Sequence, residues 1–131
     1  MGGTFDPIHY GHLVTAEAAR HRFYLNQVIF VPSGRPPHKL SHKLTPAAER
    51  LLMTLLATVP NQDFIVSDWE VNREQISYTY ETMRAFHQHF GDESELFFIT
   101  GADAVLEIMQ WRQIDELADV CSFIAATRPG Y

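Results

Sequence analysis

The amino-acid sequence predicts an α/β protein in which helices cover both faces of a doubly wound parallel sheet. Four short, continuous apolar runs indicate buried strands, because a strand covered on both faces needs apolar residues throughout. Segments with helical periodicity lie between these runs, and strands that alternate with helices are typical of this fold class. The predicted strands are residues 28–31, Phe64–Val66, 96–99 and Ser122–Ala126.

The ends of the predicted helices are marked by residues that favour helix termini. Thr45 suits an N-cap and Pro46 suits the first turn of the second helix, while Gly91 is placed to end the third. In the first helix, Leu13, Ala16, Ala19 and Phe23 are able to share a face. The predicted helices are residues 11–24, 45–56 (through Leu51, Leu52, Leu55 and Leu56), 79–90, a short one from 101 and 113–118.

The overall composition predicts a single globular domain over residues 1–131. Hydrophobic residues make up 46% and charged residues 20%, which separates the chain from disordered proteins. No apolar run reaches the eighteen residues of a transmembrane helix, and no signal-peptide pattern precedes the first strand. The single cysteine, Cys121, is predicted to be a buried strand thiol. These features predict a cytoplasmic protein without a membrane partner, and the net charge of −6 argues against nucleic acid as a partner.

Residues 2–12 form a glycine-rich turn that suits phosphate binding. The two glycines at its start permit close backbone approach to a ligand. His9 and His12 are three residues apart, so both imidazoles lie on one side of a first helical turn, and Gly11 leaves space between them. The helix N-terminus adds free N–H groups and partial positive charge. Histidines at this spacing also suit a metal, although no third ligand with suitable spacing stands nearby.

The tetrapeptide His9-Tyr10-Gly11-His12 resembles the His-x-Gly-His signature of the nucleotidyltransferase superfamily. The resemblance implies a Rossmann-like nucleotidylyl transferase fold, with His9 and His12 as catalytic residues that contact the nucleoside triphosphate. It also implies Mg²⁺ carried by the ATP phosphates, which needs few protein ligands, so no protein metal site is expected. The residues implied to bind ATP are Gly2, Gly3, Thr4, Phe5, His9, Gly11, His12, Gly101 and Asp103.

Further segments resemble the nicotinate-nucleotide adenylyltransferases within that superfamily. They are the basic Pro-Pro-His-Lys loop that ends at Lys39, the Ser-Tyr-Thr segment that ends at Thr79, and the Gly-x-Asp…Trp arrangement of Asp103 and Trp111. Taken alone, the composition of the basic loop favours a solvated surface loop. The resemblance implies that ATP and nicotinate mononucleotide give nicotinate adenine dinucleotide and pyrophosphate. The implied mononucleotide-binding residues are Lys39, Thr79, Tyr80, Asp103, Trp111 and Arg128.

Elementary chemistry supports three of these assignments. A carboxylate such as that of Asp103 accepts hydrogen bonds from ribose hydroxyls. The indole of Trp111 offers a flat face to a pyridinium ring, and free N–H groups at the Thr79 helix start suit a carboxylate.

Three alternatives remain open at this point. The first is adenylyl transfer to phosphopantetheine, and the second is a non-catalytic nucleotide-binding module. The third, a metal-binding domain, has little support, because the seven histidines are scattered. Neither the oligomeric state, for which a homo-oligomer is one option, nor the choice between nicotinate and nicotinamide mononucleotide follows from these residues.

The family resemblance also implies that the domain is incomplete at both ends. Only Met1 precedes the glycine turn, so most of a first strand is expected to be missing. The family's Ile-Ser-Ser-Thr-x-x-Arg motif, which binds the triphosphate, would follow after Tyr131. Residues 1–131 alone are therefore expected to fold poorly and to have weak or no activity.

Overall fold

In a computed structural model of the protein, the chain forms two compact units, Met1–Ser77 and Tyr78–Tyr131. Every strand pair within them is parallel and helices separate the strands, which confirms the predicted α/β class. The organisation as a single domain stays a prediction.

No helix within the described part of the chain is long and apolar enough to cross a membrane. The structure describes residues 1–35, 43–108, 110–111 and 113–127.

The first unit contains a three-stranded parallel sheet in the order β1-β2-β3. Val28 lies opposite Phe64 and Gly2 opposite Val31, so the carboxyl ends of the strands lie at one edge of the sheet. Phe30, in the middle strand, has no exposed surface, as expected for a strand with neighbours on both sides. The elements are β1 (Gly2–Gly3), α1 (Tyr10–Arg22), β2 (Val28–Pro32), α2 (Ala47–Thr58) and β3 (Phe64–Val66).

The first strand consists of two residues that pair with β2. The Val31 N–H donates to the carbonyl of Met1 at 2.9 Å, and the Ser33 N–H donates to the carbonyl of Gly3 at the same distance. The sequence led us to expect a missing first strand, but its carboxyl end is present and pairs with β2. These hydrogen bonds deliver the glycine turn to the edge of the sheet where β2 also ends.

Helix α1 packs against the sheet through small side chains. Ala16 and Ala19 are buried, and Leu13 is half-buried, in agreement with the predicted face. Phe23, the fourth predicted member, is 45% exposed because the helix ends at Arg22 and Phe23 is its C-cap.

Helix α2 begins one residue after the position that the predicted cap implies. Its N-cap is Pro46 and not Thr45, since the helical backbone starts at Ala47. The leucines of the predicted segment lie outward or half-buried, whereas the buried positions are polar. Arg50, Thr54 and Thr58 follow one another at intervals of four, and all are less than 5% exposed. Each threonine hydroxyl donates to a carbonyl of the preceding turn, which satisfies it without an external partner.

The second unit contains a two-stranded parallel sheet and a small apolar core. Met83, Leu117 and Cys121 form this core, and burial raises the pKa of the Cys121 thiol to about 11. Cys121 is buried as predicted, but it caps a helix and is not in the following strand. The elements are α3 (Thr79–Phe90), β4 (Phe97–Gly101), a 3₁₀ turn (Ala102–Ala104), α4 (Val105–Ile108), α5 (Ile114–Val120) and β5 (Ser122–Ala126).

Two alanines of α1 give a test of how this helix packs. Ala16 has no exposed surface, so we expect Ala16→Leu to overpack the core and lower the free energy of unfolding by about 1–3 kcal/mol. Ala18 lies on the exposed side, so Ala18→Leu should change that free energy by less than about 0.5 kcal/mol. Urea unfolding of both variants measures the difference. Equal losses of stability would contradict the packing described for α1.

Candidate functional site

The turn between β1 and α1 is anchored by a buried aromatic ring. Phe5 is 2% exposed. Its ring packs edge-on against His12 at a centroid distance of 5.0 Å and lies tilted against Phe30 at 5.9 Å. Its backbone has a φ of 49°, a left-handed conformation that costs free energy for a residue with a large side chain. Because the ring is buried, Phe5 could meet a ligand only through its backbone.

The two histidines are held together by a backbone hydrogen bond. The N–H of His9, which is the N-cap of α1, donates to Nδ1 of His12 at 3.1 Å. The two rings stack at a centroid distance of 3.8 Å. Because Nδ1 of His12 accepts a hydrogen bond, the neutral imidazole carries its proton on Nε2. His12 is therefore set up as a hydrogen-bond donor through Nε2, beside the unpaired amides of a helix N-terminus.

The protonation of His12 is biased towards the neutral form. Burial lowers the pKa of His12 below its ordinary value, and positive charge on His9 lowers it further. Both effects disfavour a second positive charge in the turn. The His12 ring therefore favours its neutral, donor form until an anion compensates its protonation.

Gly11 provides the space that the stacked rings need. A Cβ atom at this position would lie 2.9 Å from Cε1 and 3.0 Å from Nδ1 of His9. Any larger residue would push the His9 ring away from its place above His12. The turn thus brings together seven of the predicted ATP-binding residues in one stretch of chain: Gly2, Gly3, Thr4, Phe5, His9, Gly11 and His12.

In the second unit, the predicted residues lie at the start of α3 and at the end of β4. Thr79 is the first residue of α3, and its neighbour Tyr80 packs against the apolar core. The N-terminus of α3 is partly satisfied already, since the Glu81 carboxylate accepts from the Tyr78 N–H at 3.3 Å. A ligand carboxylate at this helix start would compete with the Glu81 carboxylate for the N–H groups of the first turn.

Asp103 and Trp111 have different environments. Asp103 is exposed, and its carboxylate folds back over Gly101, where an added Cβ would lie 2.6 Å from Oδ1. Glycine at 101 therefore allows the carboxylate to take this position at the end of β4. Trp111 is half-buried, packs against the core around Met83 and lies edge-on to Phe98 at 5.7 Å. Part of the indole thus serves the core.

Two predicted substrate residues, Lys39 and Arg128, lie outside the described residues, as does most of the basic loop. Arg35 and Lys43, which border that loop, are both exposed. Among the residues with described positions, no group of three or more His, Cys, Asp or Glu side chains could hold a metal ion.

Sequence reasoning missed one residue at this edge of the first unit. Arg50 is 1% exposed, and its guanidinium donates to the carbonyl of Thr4 in the glycine turn at 2.9 Å. The available signal was the spacing of Arg50, Thr54 and Thr58, which places three polar residues on one face of an otherwise apolar helix.

Comparison with known proteins shows the family of the whole chain. The model of the cytidylyltransferase-like family matches residues 1–131, and the chain belongs to that family. More particularly, it is 61% identical over 131 residues to a probable nicotinate-nucleotide adenylyltransferase of Moorella thermoacetica. It is 58% identical over 130 residues to the protein of the same description in Thermoanaerobacter sp.. The resemblance to nicotinate-nucleotide adenylyltransferases predicted from the sequence is thereby confirmed.

The chain covers only part of these proteins. The match to the Moorella relative covers 100% of this chain and 60% of that protein. The match to the Thermoanaerobacter relative covers 99% of this chain and 62% of that protein. The structure also matches a Plasmodium falciparum nicotinic acid mononucleotide adenylyltransferase complexed with APC, with a TM-score of 0.78. That match covers 98% of this chain and 62% of the other at 20% identity, and it confirms the predicted nucleotidylyl transferase fold.

A histidine substitution tests the electrostatics of the turn. In His9→Gln, the like charge that opposes protonation of His12 is gone, so the pKa of His12 should rise. It should stay below the ordinary histidine value, because burial is the larger cause of the shift. NMR titration of the His12 ring protons measures this. The exposed His21 supplies a control, since His21→Gln should leave the pKa of His12 unchanged. An unchanged or lower pKa in His9→Gln would contradict the described pair.

Proposed function

We propose that the protein transfers the adenylyl group of ATP to nicotinate mononucleotide, giving nicotinate adenine dinucleotide and pyrophosphate. A phosphate oxygen of the mononucleotide forms a bond to the α-phosphorus of ATP. The bond from that phosphorus to the bridging oxygen of the β-phosphate breaks, and its electron pair leaves with pyrophosphate. The attacking phosphate is already ionised near neutral pH, so the step needs alignment and charge stabilisation and no general base.

The observation that carries the proposal is the fixed histidine pair at the start of α1. The His9 N–H holds Nδ1 of His12 at 3.1 Å, and the stacked rings keep both imidazoles on one side of the turn. Donors held in advance stabilise developing charge without reorganisation when the reaction occurs. In this proposal His9 and His12 donate to the triphosphate, and the glycine turn approaches it through the backbone.

The second unit supplies the proposed contacts to sugar and pyridine ring. In this proposal the exposed carboxylate of Asp103 accepts hydrogen bonds from the ribose hydroxyls. The half-buried indole of Trp111 would stack on the pyridinium ring, and the Thr79 helix start would meet the nicotinate carboxylate. Lys39, Tyr80 and Arg128 remain proposed contacts to the mononucleotide, and Gly101 to ATP.

Magnesium enters this proposal as part of the substrate, bound to the ATP phosphates. The described donors of the turn are imidazole and amide N–H groups, which suit phosphate oxygens and not a hard cation. When bound, the ion would neutralise charge on the triphosphate. We further propose that the reaction takes place in the cytoplasm, where the buried free thiol of Cys121 stays reduced.

A substrate panel tests the proposed reaction. With the full-length protein and MgATP, we expect pyrophosphate release with nicotinate mononucleotide, and a dinucleotide product that chromatography identifies. Nicotinamide mononucleotide, which lacks the carboxylate, should react more slowly because it cannot pair with helix amides as an anion. Turnover with phosphopantetheine and none with nicotinate mononucleotide would replace this proposal by the alternative reaction.

A second substitution tests whether the turn is catalytic. In His12→Ala, the fixed Nε2 donor is lost, and kcat should fall by about 10²- to 10³-fold, the usual effect of removing one such donor. His21→Ala changes an exposed histidine in the last turn of the same helix and should keep kcat. If His12→Ala matched the parent in kcat, the catalytic role proposed for His12 would be wrong.

A further inference from the structure

A buried guanidinium joins three segments at the carboxyl edge of the first sheet. Arg50 Nη1 donates to the carbonyl of Thr4 at 2.9 Å and to that of Ser33 at 2.7 Å. Its Nη2 donates to the carbonyl of Gly34 at 3.2 Å, and its Nε donates to that of Thr45 at 2.7 Å. One side chain therefore connects the turn after β1, the loop after β2 and the start of α2.

The position of this side chain is restricted, because each N–H donor of a buried guanidinium needs a hydrogen-bond acceptor. Transfer of such a group out of water is costly unless hydrogen bonds replace the lost solvation. Arginine has five N–H donors in a rigid, planar arrangement, and these match carbonyls that lie in several directions. An apolar residue at 50 would leave four carbonyls without this donor.

Asp6 adds a second connection between the same segments. Its Oδ2 accepts from the backbone N–H of Thr45 at 3.0 Å. The negative charge of Asp6 also counteracts the effect of burial, which lowers the pKa of Arg50. The glycine turn is thus held to the start of α2 through a carbonyl at Thr4 and a carboxylate at Asp6.

The loop after β2 is fixed from its other side as well. A Cβ on Gly34 would lie 2.4 Å from the carbonyl oxygen of Glu70, so the two backbones are in close contact. This contact fixes the carbonyls of Ser33 and Gly34, which accept hydrogen bonds from the guanidinium. Because Arg50 also donates to the Thr4 carbonyl, the same contact restricts the position of Thr4.

The connection from Thr4 to the histidines is short. Thr4 precedes Phe5, and the Phe5 ring supports His12 at a centroid distance of 5.0 Å. Phe5 also has the left-handed backbone, which persists only where the surrounding structure holds it. The hydrogen bond at the Thr4 carbonyl acts on the residue immediately before this strained position.

We propose that Arg50 is a positioning residue, which fixes the turn at Thr4 and so holds His12 in the geometry that nucleotidyl transfer needs. Since it is 1% exposed, Arg50 acts through the turn and not by touching a ligand. This inference rests on the proposed function for its catalytic consequence. Its structural part concerns the geometry of His9 and His12 and is measurable without any substrate.

The test compares Arg50→Lys with Thr58→Val in the full-length protein. Lysine keeps the charge but has one ammonium group, which cannot reach four carbonyls in different directions. Thr58 is buried two turns further along α2, and its hydroxyl donates to the carbonyls of Thr54 and Leu55, away from the turn. Thr58→Val therefore disturbs the same helix without loosening the turn.

For Arg50→Lys we expect a fall in kcat of about 10- to 100-fold, with a smaller change in the KM for ATP, since small misplacements of catalytic groups have effects of this size. The pKa of His12 in the nucleotide-free protein should rise towards its ordinary value as the turn loosens. Thr58→Val should lower the urea midpoint and leave kcat and the His12 titration unchanged. Addition of methylguanidine to Arg50→Ala should restore part of kcat.

The outcomes separate the two proposals. If Arg50→Lys and Thr58→Val had the same effect on stability, and both kept the parental kcat and His12 titration, the positioning role would be wrong. The parent protein could form no dinucleotide while Arg50→Lys still raised the pKa of His12. The proposed reaction would then be wrong and the positioning role would stand. If Arg50→Lys did not fold, Asp6→Asn would serve instead, with a smaller loss of kcat and a higher His12 pKa expected. Parental values in that variant would overturn the inference.

Discussion

The carboxyl edge of the first unit's sheet depends on the hydrogen bonds of the buried Arg50 guanidinium. In a parallel sheet, the loops that follow the strands emerge at one edge, and their carbonyls lie beyond the strand ladder. Here the turn after β1 and the loop after β2 both leave carbonyls at this edge, and Arg50 donates to three of them. Without such a donor, burial of these carbonyls would be unfavourable.

This constraint explains why α2 differs from the usual leucine-rich helix. Its sequence suggests an apolar face, yet Leu52, Leu55 and Leu56 are 42–66% exposed. The face against the sheet begins with Arg50, because the carbonyls at the edge need a donor. Thr54 and Thr58 continue it with small side chains whose hydroxyls bond within the helix. The hydrophobicity of the sequence alone does not reveal that this face of α2 is polar. The reason for the polar face is the position of carbonyls from distant segments of the chain.

The strands were predictable for a simpler reason. Phe64–Val66 and Ser122–Ala126 are observed as predicted, and the run that starts at Val28 extends by one residue to Pro32. Short apolar runs bounded by turn residues indicate strands, whatever lies elsewhere in the chain. The helix Thr79–Phe90 also matches the prediction, with Gly91 as C-cap at a φ of 83° that favours glycine.

The candidate site was predictable to the level of residue identity and spacing. Intervals of three place His9 and His12 on one side, but their stacking depends on the hydrogen bond from the His9 N–H, which no spacing records. In the same way, the sequence does not reveal that the Phe5 ring is buried. It also does not reveal that part of the Trp111 indole packs in the core of the second unit. These features depend on side-chain packing against residues from other elements.

The electrostatics of the turn follow from the same packing. The Phe5 ring and the stacked His9 ring cover His12, and the resulting burial is the main reason that its pKa is low. A neutral imidazole with its proton on Nε2 can donate to an anion without the cost of burying a charge. When a polyphosphate binds, its negative charge favours protonation of His12. The turn would then gain positive charge where, in the proposed reaction, negative charge develops on the departing pyrophosphate. The pKa of His12 thus depends on its partial burial, and that burial depends on the turn to which Arg50 is hydrogen-bonded.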